Sequence, residues 1–534
     1  MLGELLVLVP AVLIIAAAAI FAPKVGVAAP LVLVGVGIVV SLAPVLEDFE
    51  VDPEWILQGL LPPLLYAAAV SVPAMSFRRE FGAISGLSVV LVVASALVLG
   101  ALLSWLIPGL GFVWGVALGA ILSPTDAVAT SIIKRSRVPR RVVVILEGES
   151  LLNDATALVL MRTAVVATAA GFSFISSLGT FAYAVVVAVG VGAIVGWGNL
   201  EVRRRVGDPT VNTLLSFTVP FLAAVPTEYA GGSGLVAAVV AGLITGLRGP
   251  RRLPPGHRLS DSQNWASVEM VLEGLVFLMM GLELSTVLAG VRDENTGMGA
   301  AIGIAAAALG VTLLVRTTYV TPLLAGLRRR ARRGEALHPR LTAFHERLES
   351  GELPLKAQRR GYDVERVSTR VRRMLADIDY LLRQPLGVRE GAIVVWAGMR
   401  GAVTVAAAQT LPADAPHRPL LVFVAFAVAT LSLLVQGGTV GPLVGWLFRR
   451  EEPTPPEEDT ERAEILAMLR EVSRNTPREP GTTERQHRLA VLTAQRAALL
   501  DARDDGLFDA DTLTGALKNI DATQIAFELR GNAG

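Results

Sequence analysis

The sequence predicts an all-α polytopic membrane protein: about thirteen transmembrane helices in two inverted repeats with crossed, interrupted helices, then a helical cytoplasmic tail. Three observations predict it. Of the 534 residues, 52% are hydrophobic and only 18% charged, with a mean hydropathy of +0.55, whereas soluble domains average about 25% charged. The charges cluster in short loops, in a stretch near 328–390 and after Phe448, leaving apolar runs such as Ser88 to Pro108 and Gly179 to Asn199. Basic residues also alternate from one loop to the next. Such a chain is neither an ordinary soluble enzyme nor a disordered polymer.

A helix crosses the hydrocarbon core with roughly 20 apolar residues. By that rule the first six spans lie near 2–22, 25–44, 54–72, 82–107, 111–134 and 142–170. The others lie near 174–199, 209–227, 233–248, 265–291, 298–326, 388–411 and 418–448. Residues 5–22 carry no basic flank or small-residue cleavage site, so they read as a first span and not a removed signal. Basic residues favour the cytoplasmic side. Lys24 follows the first span, Arg78 and Arg79 the third, and Lys134, Arg135, Arg137, Arg140 and Arg141 the fifth. Arg203 to Arg205 follow the seventh, and Arg248, Arg251, Arg252 and Arg258 the ninth. The stretch from Arg328 and the tail from Arg449 keep the rule. After even-numbered spans stand only Arg292 and Arg418, and the loop Glu47 to Glu54 is acidic. A miscounted helix breaks this alternation. The amino terminus is expected outside and the carboxyl terminus in the cytoplasm.

The expected domains are a membrane domain, 1–448, with a cytoplasmic insertion at 327–387, and a cytoplasmic tail, 449–534, with a regulatory role. In the insertion, Val364, Val367, Val371, Met374, Ile378 and Leu381 recur at helical spacing, as in an amphipathic helix resting on the bilayer surface or on the protein. The tail opens on the Pro- and Glu-rich linker Glu451 to Asp459 and continues as short helices. Asp501, Asp505 and Gly506 faintly mimic a calcium loop, but Arg503 and Thr512 stand where oxygen ligands belong.

Composition excludes several functions. A net charge of +1 points to no nucleic acid. Without cysteine there is no disulfide, zinc–thiolate site or thiol catalysis. His257, His338, His345, His417 and His487 lie outside the apolar runs, which speaks against an intramembrane histidine metal centre. No phosphate-binding Gly-x-x-x-x-Gly-Lys-Ser/Thr loop is present, so ATP is not the expected driver. No cofactor and no enzyme activity are expected.

Ionisable residues inside a bilayer are costly, so each is a functional candidate. The fifth span holds Ser123-Pro124-Thr125-Asp126, and the sixth begins Glu147-Gly148-Glu149-Ser150-Leu151-Leu152-Asn153-Asp154. The tenth holds Glu269 and Glu273, the eleventh Arg316, and the twelfth Arg400 within Gly398-Met399-Arg400-Gly401. Glu147, Ser150 and Asp154 share one helical face, and Glu149 and Asn153 a neighbouring one. Asp154 lies about a dozen residues past Arg141, on the order of 18 Å deep in a ~30 Å core. Desolvation there opposes a bare charge, so the carboxyl group holds either a proton or a small cation. That is the minimum machinery for exchanging the two; the alternative is a structural ion pair with an arginine. Pro124 removes a backbone hydrogen bond in mid-helix, and Gly398 and Gly401 weaken the twelfth span at a similar place. Interruptions at matching positions suggest an inverted repeat, spans one to six and eight to thirteen, with a midplane site. A freed carbonyl such as that of Thr125 then coordinates a cation, and Asp126 and Arg400 offset the half-helix dipoles. The alternative is a simple proline kink.

Leu61-Pro62-Pro63-Leu64-Leu65-Tyr66, Ser123-Pro124-Thr125-Asp126, Gly148-Glu149-Ser150-Leu151-Leu152-Asn153-Asp154 and Arg400-Gly401-Ala402-Val403 together resemble the NhaP-type sodium/proton antiporters of the monovalent cation:proton antiporter superfamily. The resemblance covers about 1–448. It implies a thirteen-helix homodimer with a dimerisation domain and a mobile core. It implies that Asp154 alternately binds cation and proton, with Asn153 beside it as in electroneutral members. It places Na⁺ at Asp154, Ser150 and Thr125. It implies structural support from Asp126, from a Glu149–Arg316 pair and from Arg400 near the helix crossing. Many members carry a glutamate after the third-span aromatic; here Tyr66 is followed by Ala67, Ala68 and Ala69. That removes one carboxylate, and Glu273 stands either as its replacement or as a cavity-facing polar residue.

The expected function is secondary active exchange of a monovalent cation, Na⁺ foremost, for H⁺ across the plasma membrane. The exchange is expected to be electroneutral, one for one, in a multi-pass homodimer among membrane lipids. K⁺/H⁺ antiport is the alternative. A cation channel needs a selectivity filter that the sequence lacks, and a membrane sensor would signal through 449–534, where no catalytic motif stands.

Overall fold

The structure, a computed structural model, describes residues 2–25, 27–42, 54–126, 128–134, 136, 138–170, 174–293, 297–350, 364–449, 457–478 and 480–530. Loop residues 47–53, Arg135, Arg137 and linker residues 451–456 lie outside these, as do the side chains of Arg292 and Val364. No strand occurs among the described residues.

The chain opens with α1 (Leu2–Val25) and α2 (Ala29–Ser41). A π-helical turn, Trp55–Leu60, leads into α3 (Leu61–Ser71), and another, Gly86–Leu91, joins α4 (Ala74–Ser85) to α5 (Val92–Leu106). Then come α6 (Phe112–Leu122), α7 (Val128–Ile133), α8 (Arg140–Ala170), α9 (Phe174–Arg203), α10 (Pro209–Tyr229) and α11 (Gly234–Arg252). Next are α12 (Pro255–Leu282), α13 (Leu284–Asp293), α14 (Met298–Glu349), α15 (Val364–Arg383), α16 (Val388–Trp396) and α17 (Ala402–Gln409). A third π-helical turn, Leu433–Gly437, joins α18 (Arg418–Ser432) to α19 (Gly438–Leu447); the tail is α20 (Glu457–Asn475), α21 (Glu484–Asp505) and α22 (Ala510–Arg530). Among the described residues, six helices are long and apolar enough to cross a membrane.

Small residues let helices approach closely. Where α2 crosses α12, a Cβ at Gly37 would press on the Gly281 backbone, so both crossing residues are glycine. The main core runs from Leu61 and Leu65 of α3 through Leu118, Leu146 and Leu151 to Phe423 of α18. A second cluster joins Tyr66, Ala67, Ala188, Ala241 and Trp265. The tail has its own core of Ile465, Leu499, Leu513 and Leu517.

Two interruptions meet in the interior. Helix α6 stops at Leu122, ahead of Pro124, and α16 stops at Trp396, ahead of Gly398. Asp126 N–H then donates to Met399 O at 2.7 Å, tying one break to the other.

Three details differ from the sequence reading: the length of α14, the exposure of Met374 and the burial of Arg141 and Arg203. Helix α14 does not end near 326 but continues to Glu349, because Leu, Arg, Ala and Glu beyond 326 favour helix. Helix α15 packs on that extension, with Ile378 against Gly334. Its Val371, Ile378 and Leu381 are buried, whereas Met374 is 45% exposed, because its place on the helix falls off the contact face. Arg141 and Arg203, read as loop cations, are buried: Arg141 pairs with Glu80, and Arg203 with Asp261 and Asn212.

Helix α4, the end of α11 and the start of α12 share a face with α15 and the tail. Arg79 donates to Gly506 O at 3.0 Å, and Arg251 pairs with Asp501 at 2.8 Å and Asp504 at 2.7 Å. Arg258 pairs with Asp521, Arg373 with Asp505 at 3.1 Å, and Arg383 with Glu461 at 3.1 Å. Burial pulls the Arg258 guanidinium down to about 10 even though Asp521 opposes the shift.

Candidate cation site

Helix α8 separates its polar residues by face, as the 3.6-residue repeat requires. Glu147, Ser150 and Asp154 line a cavity of about 210 Å³. Asp126, Thr130, Ser131 and Lys134 line it from the region of α7, Leu64, Ala68 and Ser71 from α3, Glu269 and Glu273 from α12, and Ala402 and Val403 from α17. Lys134 is exposed and pairs with Glu147 at the mouth. Asp154 makes no hydrogen bond or ion pair among the described residues, which removes the structural ion pair as its role.

The neighbouring face of α8 is turned into the protein, where Asn153 Oδ1 is left without a hydrogen-bond partner among the described residues. Glu149 accepts both guanidinium nitrogens of Arg316, with Nη2 to Oε2 at 2.7 Å. Arg316 Nε also donates to Val394 O at 2.9 Å. Thr125 Oγ1 donates to Glu149 Oε1 at 3.2 Å. Asn153 Nδ2 donates to Thr125 Oγ1 at 2.7 Å and to Thr125 O at 3.3 Å. Asn153 thus braces the break after α6.

Half-helix ends carry opposite partial charges, and the break residues match them. Arg400 Nε donates to Leu122 O, the carbonyl end of α6, at 3.0 Å, and Nη1 donates to Gly398 O. Val128 N–H, at the start of α7, donates to Asp126 Oδ1 at 3.0 Å. The same carboxylate lies against Gly401, the residue capping α17, where any Cβ would overlap it. A side chain there would have to displace the Asp126 carboxylate.

The structure brings Asp154, Ser150 and Asp126 to one cavity. It places Thr125 behind that wall, with its hydroxyl and carbonyl already bonded. Glu149, Arg316 and Asn153 also lie behind it, and Arg400 holds the helix break. Sequence reasoning left Glu273 open and gave Glu269 no role, yet both line the cavity, and their i, i+4 spacing was the available signal. Ala67, the position after the third-span aromatic, packs in the second cluster, and Ala68 faces the cavity instead.

Membrane helices, crossed breaks and an acidic interior cavity define the class as a membrane transport protein. The model of the sodium/hydrogen exchanger transmembrane family matches residues 11–446, and the chain belongs to that family. It is 37% identical to an uncharacterized Na⁺/H⁺ exchanger, YjcE, of Escherichia coli (strain K12), over 48% of this chain and 49% of that one. It is 32% identical to a sodium, potassium, lithium and rubidium/H⁺ antiporter of Bacillus pumilus, over 48% of this chain and 40% of that one. The chain thus spans about half the length of these relatives or less. The structure of the sodium proton antiporter MjNhaP1 from Methanocaldococcus jannaschii aligns with a TM-score of 0.56 at 16% identity, over 82% of this chain and 97% of that one. The fold is shared with that protein.

Proposed function

We propose that the chain is a secondary active transporter exchanging a monovalent cation, Na⁺ foremost, for H⁺ by alternating access. The observation that carries this is Asp154: an intramembrane carboxyl group lining an interior cavity, without an ion-pair partner among the described residues. Ser150 adds a cation ligand from the same face, and Asn153 keeps the adjacent position neutral while it holds the Thr125 carbonyl behind the cavity wall. One cation then exchanges for one proton. Residues 1–448 form thirteen spans of a homodimer in the plasma membrane, and 449–534 form a regulatory cytoplasmic tail. K⁺ is the second cation to test, favoured by the name of the Bacillus pumilus relative.

Both ligands need the same oxygens, so they compete. Protons exclude the cation at low pH, and few protons remain to exchange at high pH. The rate passes through a maximum, and a higher cation concentration moves the acidic limb to lower pH. Purified protein in proteoliposomes with an imposed pH gradient tests this. Na⁺ addition should dissipate the gradient in the native protein and not in Asp154→Asn. An active Asp154→Asn would remove the site, whereas strong voltage dependence would remove only the one-for-one ratio. Cysteine at Ser136, protected from an impermeant outside label in intact cells, would support the orientation.

A further inference from the structure

We infer that Glu273 is a second carboxyl ligand of the transported cation and sets which monovalent cation the cavity accepts. This rests on the antiport reading of the same cavity. A cation leaving water must exchange several water oxygens for protein oxygens. The α8 side supplies few. Asp154 and Ser150 face the cavity, but Thr125 Oγ1 and O are already bonded to Glu149 and Asn153. Asp126 is held at the starts of α7 and α17.

Helix α12 supplies what is missing. Glu273 lines the same cavity and makes no hydrogen bond or ion pair among the described residues. An unpaired intramembrane carboxyl group is costly and persists where transport uses it. Val276 and Phe277, about one turn further along α12, close the cavity with apolar surface. Glu273 is thus the last polar group on that wall of α12. Ala67 cannot serve, because it packs among Ala188, Ala241 and Trp265. For one-for-one exchange, a single cation balances the charge of Asp154, and Glu273 contributes a coordinating oxygen from the opposite wall. Two carboxyl groups on different helices also fix the spacing that the ion must bridge. Ion size therefore enters through the separation of α8 and α12.

The test uses the full chain in proteoliposomes, with Na⁺, Li⁺ and K⁺ titrated in turn against an imposed pH gradient. Glu273→Ala should raise the half-maximal Na⁺ concentration about tenfold, the equivalent of about 1.4 kcal/mol of binding. It should also change the Na⁺:Li⁺:K⁺ order. Glu273→Gln, which keeps an oxygen, should stay closer to the native concentration, and Glu273→Asp should shift the ratio between ions. A purely structural Glu273 would change yield and leave the ion ratio alone. If the Ala variant does not fold, the Gln and Asp variants decide: a shifted ratio in monodisperse protein supports the assignment, and native ratios in both overturn it. Failure of the antiport reading looks different: the native protein gives no cation-driven pH change, or Asp154→Asn remains active.

Discussion

Glu149 and Asp154 lie less than two turns apart on α8 and have opposite surroundings. Glu149 is enclosed by Arg316 and Thr125, whereas Asp154 opens onto the cavity. Removing one partner of a buried ion pair leaves an uncompensated charge, which typically costs about 3–5 kcal/mol. Arg316→Ala should therefore lower the melting temperature and folded yield well below those of Asp154→Asn, which loses no partner. Equal thermal stability of the two variants in detergent would contradict this. The division between them was legible from spacing alone, since Glu147, Ser150 and Asp154 fall on one face. What each face meets was not. No spacing within α8 says that Thr125 spends its hydroxyl on Glu149, or that Glu273 arrives from α12.

At the level of elements, the two broken helices depend on one another. Pro124 and the Gly398–Gly401 run marked both breaks in the sequence, because proline removes a donor and glycine weakens a helix. The hydrogen bond from Asp126 N–H to Met399 O is a long-range pairing that neither run encodes locally. Gly401→Ala should displace the Asp126 carboxylate from the start of α17 while leaving Glu149–Arg316 untouched. Transport should fall by at least an order of magnitude, whereas Ala at Gly299, where nothing crowds a Cβ, should leave it unchanged. Native rates in purified Gly401→Ala would show that the crossing tolerates the methyl group. The extension of α14 escaped the hydropathy reading for a simple reason: hydropathy locates where a helix leaves the bilayer, not where it ends.

Across the whole molecule, charge alternation along the sequence becomes a basic face covered by an acidic tail. Arg79, Arg251, Arg258, Arg373 and Arg383 meet the Gly506 carbonyl and Asp501, Asp504, Asp505, Asp521 and Glu461. Loop charge made the face legible, but the docking of the tail depends on side-chain pairings that composition does not specify. Truncation after Phe448 uncovers these arginines at close quarters and removes none of the cavity residues. Exchange should persist, with a lower melting temperature and a changed dependence on ionic strength, because exposed ion pairs are screened by salt. Complete loss of exchange in a folded truncation would make the tail part of the transport machinery.

Helix α14 holds Arg316 inside the protein and runs on to Glu349. At 1.5 Å per residue, the arm between them is about 50 Å long. A tilt of about 5° at Arg316 would sweep its tip by about 4 Å. The helix is therefore a lever: a rearrangement around Glu149 too small to resolve at the cavity is enlarged at the tip. Because the chain has no native cysteine, a single thiol-linked dye near Glu346, paired with a second on the tail, would read that lever directly as the transporter turns over.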